Sequence, residues 1–511
     1  MTPKGTLRVN LASEIDTTDP ALVQHVVSGQ LTYATQAKLL NYRDEPGLAG
    51  TEPIPEVAED LPEISNDGRT YTFEIRSGSD AYRLSTGEVV TAEHFAHAIN
   101  RALDPSMSSP ATIYLADIVG ARERIEGGAR TATGVRVLTG NRLQVELTAP
   151  APDFLHRIAM PYCSAIPLDL TSDPAGAPAP PSAGPYYVAA KSAKQIVLES
   201  NPHYRHGRPR GVESLVFTVG IDPDVGIRMI ERGEADYVAD GIPATVEAEL
   251  GAKYGLNSPQ FMVTPSLQND YLALNTSRPL FADPRLRRAV SFAIDRPSIL
   301  RSRGAYAGIV ATHLLPPGMP GYRDEHCYPS TGPDFDAARA ELPPEFSGAT
   351  AIVYTWDTLA GPKIGQIIAQ NLKEIGIEAQ VLEWPEPEMH MRAARKGEEF
   401  DLVASGWTAD YPDPYAFLNV LLDGTTIRDQ HNANQCYFNE PAYNLKLHAA
   451  ARRLPPERYR EYGALDLEIM QVAAPLVATD YRTKRDFVAK RVRGAFQHSM
   501  YGVDLCALQL S

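Results

Sequence analysis

Cysteine is scarce in this chain of 511 residues: Cys163, Cys327, Cys436 and Cys506 are the only four. None forms CxxC or any other metal-ligand spacing. An even, sparse set fits two disulfides in an exported protein or four buried thiols in a cytosolic one. Long apolar runs are missing as well. No stretch approaches ~20 apolar residues, which excludes a helical membrane span. The opening MTPKGTLRVN lacks the apolar core of a signal peptide and enters a strand pattern at once. Either the protein is cytosolic, or an export segment has been removed ahead of it. Positive charge is in deficit: 48 Lys and Arg against 63 Asp and Glu leave a net charge of −15. That balance argues against nucleic acid and against an anionic membrane surface as partners. The signatures of common catalysts are also absent: no G-x-S-x-G elbow, no P-loop, no G-x-G-x-x-G after a strand and no H-E-x-x-H. No enzyme and no cofactor is expected, although a carboxylate pair acting on a glycosidic bond leaves no such motif.

What is present is an ordinary globular composition, 43% hydrophobic and 22% charged. The length exceeds a single core, so two to four domains are expected. DGRTYTFEIRSG reads as a turn at Asp67-Gly68 followed by a strand with Tyr71, Phe73 and Ile75 on one face. TAEHFAHAINRAL reads as a helix capped by Thr91, with Phe95, Ala98, Ile99, Ala102 and Leu103 as its stripe. Residues 172–185, SDPAGAPAPPSAGP, read as a linker or long surface loop and a candidate domain crossing. His94 and His97 stand three apart on the helix and could share a face as metal ligands. The adjoining apolar stripe and the lack of a third nearby ligand favour ordinary histidines.

The second half has the clearest grammar. ADPRLRRAVSFAIDRPSIL reads as one helix, with Asp283 as cap and Pro284 in its first turn. GPKIGQIIAQNLKEIG reads as a helix with Ile364, Ile367, Ile368, Leu372 and Ile375 inward and Gly376 as stop. Strand, helix, strand, helix, strand over this region predicts a parallel sheet in an α/β fold. All three tryptophans, Trp356, Trp384 and Trp407, fall at or near strand ends here, in AIVYTW, IEAQVLEW and FDLVASGW. Open α/β sheets bind ligands beyond the carboxyl ends of their strands, and indole makes a good pocket wall. The alternative reading is three core residues at strand ends. In TADYPDPYAFL, Asp413 reads as a helix cap. Asp410, among Trp407, Tyr411 and Tyr415, is either a turn aspartate or a carboxylate that holds a cation among aromatic faces.

These segments carry a resemblance. PEVAEDLPEISNDGRTYTFEIRSG, VVTAEHFAHAINRAL, SAGPYYV with NPHYRHGRP, GEADY, YLALNTSRPLFADPRLRRAVSFAIDR, NLKEIGIEAQV and GWTADYPDPYAFL occur in an order similar to that of the extracellular solute-binding proteins of family 5. That is the oligopeptide/dipeptide-binding family, the capture component of ABC importers. LLPPGMPGY and the ending YGVDLCALQL resemble actinobacterial members. The resemblance implies an α/β, two-lobed periplasmic-binding-protein type fold with a hinge and an extra subdomain inserted in the first lobe. Lobe I would comprise 1–40, 180–267 and 481–511, the inserted subdomain 41–179, and lobe II 268–480. A ligand would be engulfed as the lobes close. The implied partners are a small-molecule or peptide ligand and a membrane permease, with no nucleic acid and a monomeric state. The implied location is extracytoplasmic, as a membrane-anchored lipoprotein or cell-surface protein.

In peptide-binding relatives the aspartate of the GW-x-x-D motif pairs with the ligand's ammonium group. By resemblance that residue is Asp410, with Trp407 and Trp384 lining pockets. Dipeptide-selective relatives place an arginine near the end of the strand that here reads VYTWDT, where this chain has Trp356 and Asp357. With Glu383, Asp357 and Asp410 the mouth would be rich in acid. A longer peptide, a cationic ligand, an oligosaccharide or a nickel chelate are the resulting alternatives. The expected ligand-binding set is Asp410, Trp407, Trp384, Trp356, Asp357, Tyr411 and Glu383. The domain plan is compatible with disulfides Cys163–Cys506 and Cys327–Cys436, and spacing leaves the other two connectivities open.

Overall fold

The structure, a computed structural model, describes residues 5–358 and 360–511. The chain divides into two units: Met1–Val263 with Arg485–Ser511, and Thr264–Lys484.

Among the described residues, unit 1 holds two main sheets besides three two-stranded ones. In the larger, Tyr237–Val238 and Ser214–Val219 flank Thr6–Leu11 in parallel, and Gln195–Ser200 and Tyr186–Lys191 extend the sheet antiparallel. In the smaller, Glu63–Ile64, Thr70–Glu74, Arg142–Glu146 and Val135–Leu138 are all antiparallel. Tyr71, Phe73 and Ile75 are buried, as their alternation predicts. The helix Ala92–Ala102 packs on this sheet with Phe95, Ala98, Ile99 and Ala102 inward. The two histidines are occupied separately. His94 Nδ1 accepts from the Thr91 amide at 3.1 Å, completing a capping box, and His97 Nε2 reaches the Leu170 carbonyl at 2.9 Å. No metal-ligating group of three occurs among the described residues. The Pro/Ala-rich segment 172–185 stays within unit 1, where Thr18 Oγ1 donates to the Pro178 carbonyl and the Ala177 amide donates to Asp19.

A buried polar cluster ties the C-terminal segment into unit 1. Lys38 Nζ donates to Tyr501 Oη at 2.7 Å, and the Tyr501 ring stacks on Tyr33 with centroids 4.1 Å apart. Glu56 accepts the Lys38 amide and pairs with Arg208 at 2.8 Å.

Unit 2 is built on one six-stranded sheet. Its strands are β1 (Phe261–Leu274), β2 (Gly308–Val310), β3 (Ala349–Trp356), β4 (Ile377–Trp384), β5 (Leu402–Thr408) and β6 (Leu476–Phe487). The order is β2-β6-β1-β5-β3-β4. The expected parallel core is there: β3 runs parallel to both β4 and β5. The sheet as a whole is mixed, because β1 pairs antiparallel with β5. The helices that matter for the site are α1 (Arg296–Arg303), α2 (Gly361–Lys373), α3 (Glu386–Ala393) and α4 (Tyr415–Leu422). Ile364, Ile368 and Leu372 of α2 are buried, Ile367 is half-buried, and Gly376 follows at φ 77°.

The long helix expected from Asp283 onward is two helices. Pro284–Ala293 ends at Ile294, and α1 starts anew with Asp295 accepting the Ser298 amide at 2.9 Å. Pro297 is the cause: it lacks an N–H, and its ring would strike the carbonyl four residues back in a continuous helix. The break sets the direction of α1 and so the place of Arg303 at its end.

The expected pairings Cys163–Cys506 and Cys327–Cys436 are not formed, because all four cysteines are free thiols. Each is lodged among its own neighbours. Cys163 lies near Lys38 and Arg157, Cys506 near Asp504 and Arg208, and Cys327 near Asp466 and Arg296. Cys436 Sγ points at Asn434 Oδ1, 3.1 Å away. Burial pushes the thiols of Cys163, Cys327 and Cys436 up to about 12.

Candidate functional site

The three tryptophans lie at one edge of the unit 2 sheet, and the topology explains why. β3, β4 and β5 are parallel, so their carboxyl ends share an edge. Trp356 and Trp384 are direct partners in the β3–β4 register. Trp407 lies near the end of β5, opposite Asn269 of β1. The chain leaving β3 passes through α2 to β4 on one side, whereas the chain leaving β5 returns to β6 on the other. The connections therefore diverge between β3 and β5. Such a switch point opens a crevice beyond the strand ends.

The rings are not equivalent. Trp356 is buried, with the Arg303 guanidinium 5.3 Å from its ring centroid. Trp384 is half-buried, with the Arg392 guanidinium 3.9 Å from its centroid and Tyr354 against it edge-on at 5.8 Å. Trp407 is half-buried and donates Nε1 to the Ala416 carbonyl at 2.8 Å, which ties the end of β5 to α4. Asp410 is half-buried in the β5–α4 connection, and Tyr411 beside it is buried. Asp357 and Glu383 are exposed. Asp357 follows β3 directly and donates its amide to the Trp384 carbonyl at 2.9 Å. Glu383 precedes Trp384 in β4, so alternation turns it to the opposite face.

Asp413 does more than the expected capping. It accepts the Tyr415 amide at 2.9 Å, and its two oxygens also take Arg458 at 2.8 and 2.9 Å in a pair with at most 1% exposure on either side. Arg458 is 45 residues away in sequence, and no local pattern announces it.

A second group at this edge has no signal in the sequence pattern. Arg303 reaches Asp270 of β1 at 3.0 Å and Asp480 of β6 at 3.3 Å, and Arg482 stands 3.7 and 3.5 Å from the same two carboxylates. Burial raises the Asp480 carboxyl above its usual range and Asp270 adds to this, while Arg303 and Arg482 pull the other way. One local clue exists. Gly406 lies opposite Asp270, and a Cβ there would come within 2.4 Å of Asp270 Oδ1. The glycine before Trp407 thus makes room for a carboxylate on the neighbouring strand. On the other flank, Arg392 is held by Glu388 at 2.9 Å and Glu398 at 3.3 Å. Glu398 also accepts the Tyr354 hydroxyl, whose pKa is raised to about 12 by burial and by that carboxylate. The arrangement offers binding surfaces, namely aromatic faces and fixed charges.

Comparison with known proteins agrees with this architecture. The description "Bacterial extracellular solute-binding proteins, family 5 Middle" matches residues 52–429. The "Dipeptide-binding protein" of Escherichia coli (strain K12) is 25% identical over 92% of this chain and 89% of its own length. The "Periplasmic oligopeptide-binding protein OppA" of the same organism is 26% identical over 88% of this chain and 83% of its own length. The solved structure of "Clavulanic acid biosynthesis oligopeptide binding protein 2" superposes with a TM-score of 0.92 at 26% identity, covering 100% of this chain and 96% of the other. The fold is thus the mixed α/β fold of the two-lobed periplasmic binding proteins. Among the described residues, no helix is long and apolar enough to cross a membrane. From the match over residues 52–429, the chain belongs to the bacterial extracellular solute-binding proteins of family 5.

Proposed function

We propose that this chain captures an oligopeptide or peptide-like solute between two closing lobes and hands it to the membrane permease of an ABC importer. It works as an extracytoplasmic monomer with no chemistry of its own. The lobes follow the boundaries implied by family resemblance, with 41–179 as the inserted subdomain. The observation that carries the reading is the gathering of Trp356, Trp384 and Trp407 at the carboxyl edge of three parallel strands, with Asp410 just beyond. The relatives' names, dipeptide-binding and oligopeptide-binding, support the peptide class. Asp410 takes the ligand's ammonium group, and the extended ligand is held largely through its own backbone, which tolerates varied side chains. Closure expels water and strengthens that ion pair.

Without the Asp410 carboxylate the enclosed ammonium group of the ligand would lose its counter-charge, and the loss of one partner of a buried pair costs roughly 3–5 kcal/mol. Calorimetry with short peptides should therefore give Asp410→Ala a dissociation constant at least ~100-fold weaker than wild type. Asp410→Asn should lose nearly as much. Peptide affinity unchanged in both variants would remove Asp410 from the site. Tight binding of an oligosaccharide, insensitive to the charge at 410, would replace the peptide reading with a sugar one.

A further inference from the structure

Two of the three tryptophan rings at the sheet edge already carry a guanidinium. Arg392 lies 3.9 Å from the Trp384 centroid, and Arg303 lies 5.3 Å from that of Trp356. Both are within cation–π range, so an internal cation occupies one face of each ring. Neither arginine swings away freely. Arg392 is held by Glu388 and Glu398, and Arg303 by Asp270 and Asp480. Those four carboxylates are thereby spent on protein cations. Glu383 points to the other face of β4 and Asp357 is exposed past the end of β3.

Hydrogen-bonding capacity points the same way. Trp384 Nε1 is buried and has no hydrogen-bond partner among the described residues, whereas Arg303 Nε already faces Asp480 at 3.3 Å. The indole N–H is a donor, and a buried donor is completed only by an acceptor. Lysine and arginine side chains bring further donors and a second positive charge. A carboxylate or an amide brings acceptor oxygens.

We infer that the shelf formed by Trp356 and Trp384, with Arg303 and Arg392, disfavours basic ligand side chains and takes one bearing an acceptor oxygen, carboxylate or amide. The inference rests on the peptide-capture reading and makes it narrower. It reverses, at these two rings, the expectation of a cationic ligand. The ligand's ammonium group remains the concern of Asp410.

The test uses the intact protein and short peptides identical except at one residue, which is Glu, Gln, Leu or Lys at each position in turn. Titration calorimetry should find one position at which Glu or Gln binds at least ~10-fold tighter than Lys, since Lys supplies no acceptor for Trp384 Nε1 and the ring faces suited to a cation are already filled. Comparing Glu with Gln separates carboxylate from amide. Arg392→Gln, whose side chain is partly exposed, should narrow the gap to Lys to within ~3-fold, with circular dichroism confirming the fold. Lys binding as tightly as Glu and Gln at every position overturns the inference. So does a gap that survives in both Arg392→Gln and Arg303→Gln. Failure of all peptides to bind removes the proposed function together with this inference, whereas binding without the preference removes the inference alone.

Discussion

Lys38 gives unit 1 a stability that climbs with pH. Its ammonium is buried, with Tyr501 Oη as its hydrogen-bond partner at 2.7 Å and the Tyr501 ring centroid 4.6 Å away. Burial pushes its pKa down from 10.5 to about 7, against the pull of Glu56, with Arg208 adding to the drop and Cys163 opposing it. Between those two values the unfolded chain holds a proton that the folded chain has released. Stability therefore rises with pH from about 7 towards 10.5 and is lowest, from this group, below 7. At ~1.36 kcal/mol per pH unit the full span is about 5 kcal/mol, of which about 2 kcal/mol falls between about pH 6.5 and about pH 8.5. Lys38→Met removes the titration and leaves every other group in place. Chemical denaturation should be followed by pulsed hydrogen exchange on peptides covering residues 33–42 and 497–504, which report unit 1. The wild-type curve should gain about 2 kcal/mol on the variant across that pH interval. Parallel pH dependences would refute the reasoning, whatever the offset between the curves. The offset itself also includes the lost hydrogen bond to Tyr501 and is not diagnostic.

Three further outcomes are expected. Arg458→Leu leaves the Asp413 carboxylate buried without its cation and should lower stability by roughly 3–5 kcal/mol in thermal or urea melts, with Asp413→Asn in the same chain recovering part of the loss; a neutral single variant would count against a buried pair. Gly406→Ala drives a methyl group to 2.4 Å from Asp270 Oδ1 and should cost about 1–3 kcal/mol while weakening ligand binding, as Asp270 is displaced from Arg303; an unperturbed melt would mean that the carboxylate moves aside freely. Denatured, unreduced protein should titrate four thiols with a chromogenic disulfide reagent, and a count of two or none would restore one or both bridges.

Much of unit 2 was legible because its signals are local. The stripe Ile364, Ile368 and Leu372 and the stop at Gly376 are all read within one helical window, and they outline α2 and the start of β4. The tryptophans could be assigned to strand ends for the same reason. From Asp283 onward the periodic stripe suggests one continuous helix, but Pro297, with its missing N–H and its ring, divides it in two. The charge cluster was illegible for a different reason. Asp270, Arg303 and Asp480 come from three elements far apart in sequence, and their meeting is fixed by the strand order β6-β1-β5-β3. An aspartate followed by proline looks like any helix cap, so the Arg458 partner of Asp413 was equally hidden. Sequence could place the rings at the edge; only the fold reveals that two of them are already stacked on guanidinium groups.

Unit 2 leaves the rest of the chain at Thr264 and rejoins it at Lys484. These points lie on β1 and β6, which are neighbours in its sheet, and Ser266 Oγ donates to the Arg482 carbonyl at 2.9 Å. The segment is thus a contiguous cassette whose two ends already meet. A short splice of a few residues could close the gap left by its removal, and the excised piece could be circularised or exchanged for the corresponding stretch of a relative. The tryptophans, Asp410 and both arginine clusters would travel together in a single cut.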